Sequence, residues 1–296
     1  MSYNSSDPVA FKTPKVILGR IFIYGILILF ALYFLIPLFV MIITSLKSMD
    51  DIRSGTLISL PVAYSIDAWK AAWSEACIGV KCSGMKGYFL NSIKMVVPAV
   101  IISTIIGALN GYIFSNWRFR GSEILFSSLL FGCFIPFQAI LLPMARTLGI
   151  LGVAQSTAGL VMVHVVYGLA FTTLFFRNFY VTIPLELVKA ARIDGAGFFR
   201  IFRKIMLPVS LPIFMVSVIW QTTQIWNDFL FGVVFSGGNS QPITVALNNL
   251  VNTSSSVKNY NVDMAAAMIA GFPTLIVYIT AGKYFIRGLT AGSVKG

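Results

Sequence analysis

The stretch Pro184–Pro212 reads P-L-E-L-V-K-A-A-R-I-D-G-A-G-F-F-R-I-F-R-K-I-M-L-P-V-S-L-P and lies between two apolar runs of membrane length. Five cations (Lys189, Arg192, Arg200, Arg203 and Lys204) fall within sixteen of its residues. Charges of this density find no partner in hydrocarbon. The stretch therefore marks a surface outside the bilayer, and the chain on either side of it divides into spans.

Outward from that loop the composition is that of a membrane protein. The 296 residues are 57% hydrophobic and 11% charged, with a mean hydropathy of +0.84. A soluble fold carries roughly a quarter charged residues. The uncharged runs Ile21–Leu46, Met95–Trp117, Ile124–Ala145, Thr147–Phe176, Ile205–Asn227 and Met264–Gly282 are each long enough to cross a bilayer. They predict an all-α integral membrane protein with six spans, at about 17–46, 92–117, 122–145, 150–178, 207–231 and 264–286. Phe229–Val257 is also uncharged, but its Gly237-Gly238-Asn239-Ser240-Gln241-Pro242 and Asn248-Asn249 predict an extramembrane loop. Residues 1–15 read as a tail and 16–296 as one membrane domain. The first run is too long for a signal-peptide core, so it is expected to remain as an anchor helix.

Of the 22 Lys and Arg residues, fourteen fall on the side of the termini and the short connections; eight are spread over the long connections opposite. The positive-inside rule then places both termini and the basic loop in the cytoplasm. The net charge of +12 is accounted for by topology and lipid headgroups. Nucleic acid is not an expected partner, since no aromatic-interleaved basic stripe is present. Cys77 and Cys82 fall in the first outside loop, where either a disulfide or two free thiols is compatible with their spacing. The segment Asp67–Trp73 predicts a short amphipathic helix at the interface.

Within the basic loop, Pro184 suits a first helical turn with Glu186 near its positive end, and Gly195 supplies a left-handed residue at the close. Phe198, Phe202 and Ile205 recur at i, i+4, i+7, with Phe199 and Ile201 widening an apolar face. Two short helices meeting at a glycine elbow are expected over about 182–208. A basic interfacial helix resting on anionic lipid is one use of this charge. The small face of Ala190 and Ala191 and the glycine elbow favour a close protein partner instead.

Ala190-Ala191, three residues, Gly195, nine residues and Ile205-x-Leu207-Pro208 resemble the cytoplasmic motif of binding-protein-dependent ABC importer permeases. The string A-A-R-I-D-G-A and the ending G-L-T-A-G-S-V-K-G are similar to the carbohydrate permeases of the maltose type. The resemblance implies a type I ABC importer permease of a prokaryotic inner membrane, with no enzymatic activity or bound cofactor of its own. ATP and Mg²⁺ would sit on a dimer of ATPase subunits. A second permease subunit and an external sugar-binding protein would be further partners. It also implies that Glu186, Lys189, Ala190, Ala191, Asp194, Gly195, Phe198 and Phe202 meet the ATPase, that the carboxy-terminal tail reaches along the ATPase dimer, and that Gly232–Asp263 approaches the binding protein. Lys189 stands where the family usually has Glu, so either the partner compensates or Glu186 takes that role.

On the fifth span Ser217, Gln221, Gln224 and Asp228 recur at i, i+4, i+7, i+11, flanked by Trp220 and Asn227. Intramembrane amides are costly against lipid, so the stripe faces either a solute pathway or a neighbouring helix that it glues. Amides beside aromatic rings suit a neutral, hydroxyl-rich solute such as a sugar. Asn110, Gln138, His164 and Tyr167 are weaker pathway candidates. An intramembrane enzyme is disfavoured: there is one His, no H-E-x-x-H pair and no metal-ligand cluster. No phosphate-loop motif is present for ATP hydrolysis, and a secondary transporter would be expected to carry repeats and buried ion-coupling charges. Within the importer class, a polyamine or another small organic solute is the alternative cargo.

Overall fold

The computed structural model describes residues 14–117, 119–252 and 258–291. The amino-terminal tail (1–13) and the last five residues of the carboxy-terminal tail lie outside the described residues. Four helices are individually long and apolar enough to span a membrane: α1 (Pro14–Ser45, over Ile17–Ser45), α4 (Lys86–Asn116), α7 (Thr157–Val181) and α14 (Tyr260–Ala291, over Tyr260–Gly282). Between α1 and α4 lie α2 (Met49–Ser54), α3 (Asp67–Ser74) and the hairpin β1 (Cys77–Ile78) and β2 (Lys81–Cys82).

Two further helix pairs are apolar and long enough together to cross, but each is sharply bent, so the count among the described residues is four, or six if each pair is one span. Helices α5 (Ser122–Gly132) and α6 (Phe137–Ile150) meet at 103°, so the expected straight third span is broken. Pro136 caps α6, and a proline disfavours helical backbone at the residue before it. The fifth span is broken likewise: the segment Phe198–Val209 meets α11 (Leu211–Trp226) at 77°, with Pro208 and Pro212 flanking the bend. The crossing helix ends at Trp226, short of the predicted 231. Beyond it the expected loop is partly helical, in α12 (Leu230–Phe235) and α13 (Ile243–Val251). Their Phe231, Phe235, Ile243 and Val245 are buried, because short helices there bury apolar residues that an open loop would expose.

Helices α4 and α7 form the tightest pair. A Cβ on Gly107 would overlap Thr172, and one on Gly111 would overlap Phe176, so these glycines let the two backbones approach. Thr172 Oγ1 donates to the Ser103 carbonyl at 3.1 Å across the same seam. Helix α11 packs across α4, α7 and α14. In contrast, α1 exposes most of its apolar length and buries only its last turn.

At the end of the bundle reached by α1's carboxy terminus, the expected short helix α3 packs on α14. Its Ala68 and Ala72 are buried, and Trp69 Nε1 donates to Ser45 Oγ at 3.1 Å. Cys77 and Cys82 form a disulfide across the paired ends of the hairpin. Lys81 Nζ donates to Asn239 Oδ1, and Asn91 Nδ2 donates to the carbonyls of Asn239 (2.6 Å) and Gln241 (3.1 Å). Ser240 Oγ donates to the Gln155 carbonyl at 2.9 Å. The glycine-rich loop near Asn239 is thus fastened to Lys81, Asn91 and Gln155.

Candidate docking loop and solute pathway

At the opposite end, α8 (Leu185–Ile193) starts on Pro184, carries Glu186 in its first turn and ends one residue before Asp194. Gly195 follows with φ +76°, and the Ala196 N–H bonds back to the Ala191 carbonyl at 2.9 Å. After this elbow, α9 (Phe198–Ile201) runs into a π-helical turn over Phe202–Met206 and then α10 (Leu207–Val209). Val188, Ile201, Phe202 and Met206 are buried against Tyr112, Phe176 and Tyr180 of α4 and α7. The Phe198 ring stacks 4.9 Å from Tyr112 and 5.3 Å from Trp117. The Arg192 guanidinium lies 4.1 Å over the Trp117 ring and donates to the Asn116 carbonyl at 3.1 Å.

This geometry divides the residues assigned to the docking face. Glu186, Lys189, Ala190, Asp194 and Gly195 point outward, while Ala191 is half-buried. Phe202 is buried and Phe198 half-buried, and both rings pack on Tyr112, rooting the loop in the bundle. The physical reason lies in the periodicity. Residues 198, 201, 202, 205 and 206 fill one helical face at i, i+3, i+4, i+7, i+8, and that face meets the apolar ends of α4 and α7. Phe199, expected to widen it, is 74% exposed, and Ile193 is 86% exposed. Neither of these two apolar residues stood out in the sequence as part of the outward surface. Phe199 falls off the 198/202/205 repeat of its own helix, whereas Ile193 closes α8 on the other side of the Gly195 elbow.

In the half of the bundle away from this loop, α11 and α7 enclose a cavity of about 400 Å³. Trp220, Gln221, Gln224, Asn227 and Asp228 line it from α11 and the turn after it. His164, Tyr167 and Phe171 line it from α7, with Phe137 and Phe231 closing one side. Trp220 stacks on Phe171 at 4.8 Å and meets Phe175 edge-on at 5.5 Å. Asp228 accepts the N–H groups of Phe231 (3.3 Å) and Gly232 (3.1 Å), and its Oδ2 lies 3.7 Å from His164 Nε2. Gln221 is 1% exposed, and its amide sits against Gly168, where a Cβ would overlap it. Neither Gln221 Nε2 nor His164 Nε2 has a hydrogen-bond partner among the described residues.

Five of the six predicted pathway residues are therefore brought together, and Ser217 is not. Ser217 is fully buried and pairs with Thr104 of α4 at 3.4 Å, as helix glue. Asn110 likewise donates to Thr173 at 3.3 Å, and Gln138 is exposed away from the cavity. His164, a weaker candidate in the sequence, lines the cavity because α7 turns it toward Asp228. Trp226 is an interior anchor whose Nε1 donates to the Ala270 carbonyl at 2.9 Å.

A bundle of spanning helices with a rooted loop at one end and a polar, aromatic-lined cavity toward the other defines a multi-pass membrane transport component. The chain belongs to the family of binding-protein-dependent transport system inner membrane components, which it matches over residues 99–290. It is similar to the probable ABC transporter permease protein PH1216 of Pyrococcus horikoshii, at 39% identity over 94% of this chain and 98% of that protein. It is also similar to the xylose/arabinose import permease protein XacI of Haloferax volcanii (33%; 98% and 99%) and to the glucose import system permease protein GlcU of Saccharolobus solfataricus (30%; 92% and 95%). Its fold matches a chain of a bacterial ABC transporter involved in the import of the acidic polysaccharide alginate. That match has a TM-score of 0.78 at 22% identity, over 96% of this chain and 99% of the other. These relatives are named as transport permeases, and the chain is a transport subunit rather than an enzyme.

Proposed function

We propose that this chain is a permease subunit of an ATP-driven sugar importer, passing a mono- or oligosaccharide from an external binding protein into the cytoplasm. The observation that carries this reading is the cavity on α11, where amides and aromatic rings face a common space inside the bundle. Amides exchange hydrogen bonds with hydroxyls, and aromatic faces pack against the C–H faces of sugar rings. The names of relatives that carry xylose, arabinose and glucose support the same cargo class. A second permease subunit would complete the pathway, and the exposed apolar length of α1 is available to it or to lipid.

The basic loop is the proposed seat of separate ATPase subunits, which would bind ATP and Mg²⁺ on the cytoplasmic side with both termini of this chain. Its exposed residues Glu186, Lys189, Ala190, Asp194 and Gly195, with Ile193 and Phe199, form the contact face. Its buried residues make it mechanically continuous with α4 and α7. Closure of the ATPase dimer would displace the loop, and the Arg192–Trp117 stack and the Phe198–Phe202 root would move the α4–α7 pair with it. The Asn239 loop at the other end offers a held polar surface to the binding protein. The test is ATP-dependent uptake by the complete importer in proteoliposomes, with labelled neutral sugars and labelled spermidine supplied to its binding protein. Sugar uptake is expected; uptake of spermidine but not sugar overturns the reading.

A further inference from the structure

The basic loop divides its charge unevenly at the Gly195 elbow. Its first half, 184–195, holds two acids (Glu186 and Asp194) and two cations (Lys189 and Arg192), which cancel. Its second half, 196–212, holds Arg200, Arg203 and Lys204 with no acid. Arg192 is already engaged by the Trp117 ring and the Asn116 carbonyl. Arg200, Arg203 and Lys204 are all exposed, and none makes a hydrogen bond or ion pair among the described residues. Like charges held this close repel one another, and an anionic partner would relieve that repulsion.

The segment Phe198–Val209 meets α11 at 77°. Where α11 crosses the bilayer, this segment therefore lies nearly in the plane of the membrane surface. One face of it is rooted, with Ile201, Phe202 and Met206 buried against α4 and α7. In the π-helical turn the Leu207 N–H bonds to the Phe202 carbonyl, one residue further than in an α-helix. Phe202 and Met206 both turn inward there, and Arg203 and Lys204 are left together on the outer arc. Past the cations the exposed residues become apolar: Pro208, Val209 and Leu211, the last 62% exposed, at the start of the crossing helix. Apolar side chains exposed at that level meet acyl chains, and cations just before them stand at headgroup depth with flexible stems that reach phosphate. The neutral, small-residue face of α8 suits a protein; this basic face, continuous with exposed apolar surface, suits a lipid leaflet.

From this we infer that Arg200, Arg203 and Lys204 form a binding surface for the phosphate headgroups of anionic phospholipids in the cytoplasmic leaflet, beside the proposed ATPase-docking face of α8. It rests on the importer reading above, which puts this loop on the cytoplasmic side, and gives the loop a second partner. Each cation near an anionic leaflet strengthens association about fivefold. Held by the leaflet on one side of the elbow and by the ATPase on the other, the loop passes ATPase closure to α4 and α7 without slipping. Coupling is thereby sensitive to the anionic lipid content of the membrane.

The test uses the complete importer and two readouts. Native mass spectrometry measures retention of phosphatidylglycerol against phosphatidylcholine. ATPase stimulation by the loaded binding protein is compared in nanodiscs of pure phosphatidylcholine and of an equal mixture of the two lipids. The wild type is expected to retain phosphatidylglycerol in preference, less so at high salt, and to be stimulated several-fold more strongly in the mixture. Arg200→Gln, Arg203→Gln and Lys204→Gln together are expected to remove both differences and to leave stimulation in pure phosphatidylcholine at the wild-type level. Arg200→Lys with Arg203→Lys, which keeps the charge, is expected to preserve both. Equal retention of the two lipids by the wild type overturns the inference. Loss of stimulation by the triple variant in both kinds of nanodisc overturns it as well, since the cations then face the ATPase. Should the triple variant fail to assemble, the single Gln variants decide: phosphatidylglycerol retention about fivefold weaker in each supports the surface, and unchanged retention in all of them overturns it. A wild type without stimulation in either nanodisc removes the importer reading, whereas lipid retention, which needs no turnover, decides the lipid surface separately.

Discussion

Gln221 and Gly168 face each other across the α7–α11 contact, and the absent Cβ of one makes room for the amide of the other. Gly168→Ala is expected to push that amide aside, because the atom in the way is the end of a flexible side chain. Uptake should fall several-fold with little change in thermal stability of the purified complex. Gly111→Ala is the contrasting case, since its new Cβ would meet the backbone of Phe176 and Arg177. Backbone cannot step aside as a side chain does, and overpacking costs about 1–3 kcal/mol. A lowered melting temperature in detergent is the expected result, and an unchanged one would mean that α4 and α7 separate more readily than their packing implies. Ser217 and Gln221 stand four residues apart on one helix, yet they have different neighbours. One is level with Thr104 of α4 and the other with the glycine of α7, so polarity and spacing alone did not separate glue from lining.

Among the elements, the basic loop has an inward root and an outward face, and substitutions on the two are expected to act differently. Phe202→Ala removes a buried ring from the Tyr112 and Tyr180 cluster and is expected to cost about 3 kcal/mol or more, read as a fall in thermal stability. Ile193→Asp and Phe199→Asp alter exposed positions. They are expected to leave stability within about 0.5 kcal/mol but to abolish stimulation of the ATPase by the loaded binding protein. Gly195→Leu introduces left-handed strain of roughly 1–2 kcal/mol at φ +76°, into space where the new Cβ itself touches nothing. Reduced coupling of ATPase to uptake is the expected outcome; normal coupling would separate this elbow from the docking role. The glycine elbow was legible in the sequence because few other residues adopt that backbone. The inward turn of Phe198 and Phe202 was not, since an apolar helical stripe fits a partner protein and a home bundle equally well.

For the whole molecule, the hairpin disulfide and the Asn239 loop form one assembly at the end opposite the docking loop. The bridged cysteines are only five residues apart, so closing so short a loop constrains the unfolded chain little. Reduction is therefore expected to leave global stability nearly unchanged. Its effect should fall on the position of Lys81 and the loop it holds, raising the concentration of binding protein needed for half-maximal ATPase stimulation. Titration of binding protein before and after mild reduction, with peptide mass spectrometry to verify thiol release, measures this. An unaltered titration would show that the hairpin does not position the loop.

The sequence by itself determined that the chain crosses a membrane several times, through the length and charge-free character of its apolar runs. It also determined the family resemblance, through the spacing of Ala190, Ala191, Gly195 and Pro208, and the existence of a polar stripe on the fifth span. These features depend on local chemistry: solvation of a segment, conformational freedom of a glycine, periodicity of one helix. Only the tertiary structure decided that the third and fifth spans bend and that Phe198 and Phe202 turn inward. It also decided that the lone histidine meets Asp228 across 64 residues of chain. Periodicity orients a side chain about its own helix axis; what stands opposite is set by how the helices pack.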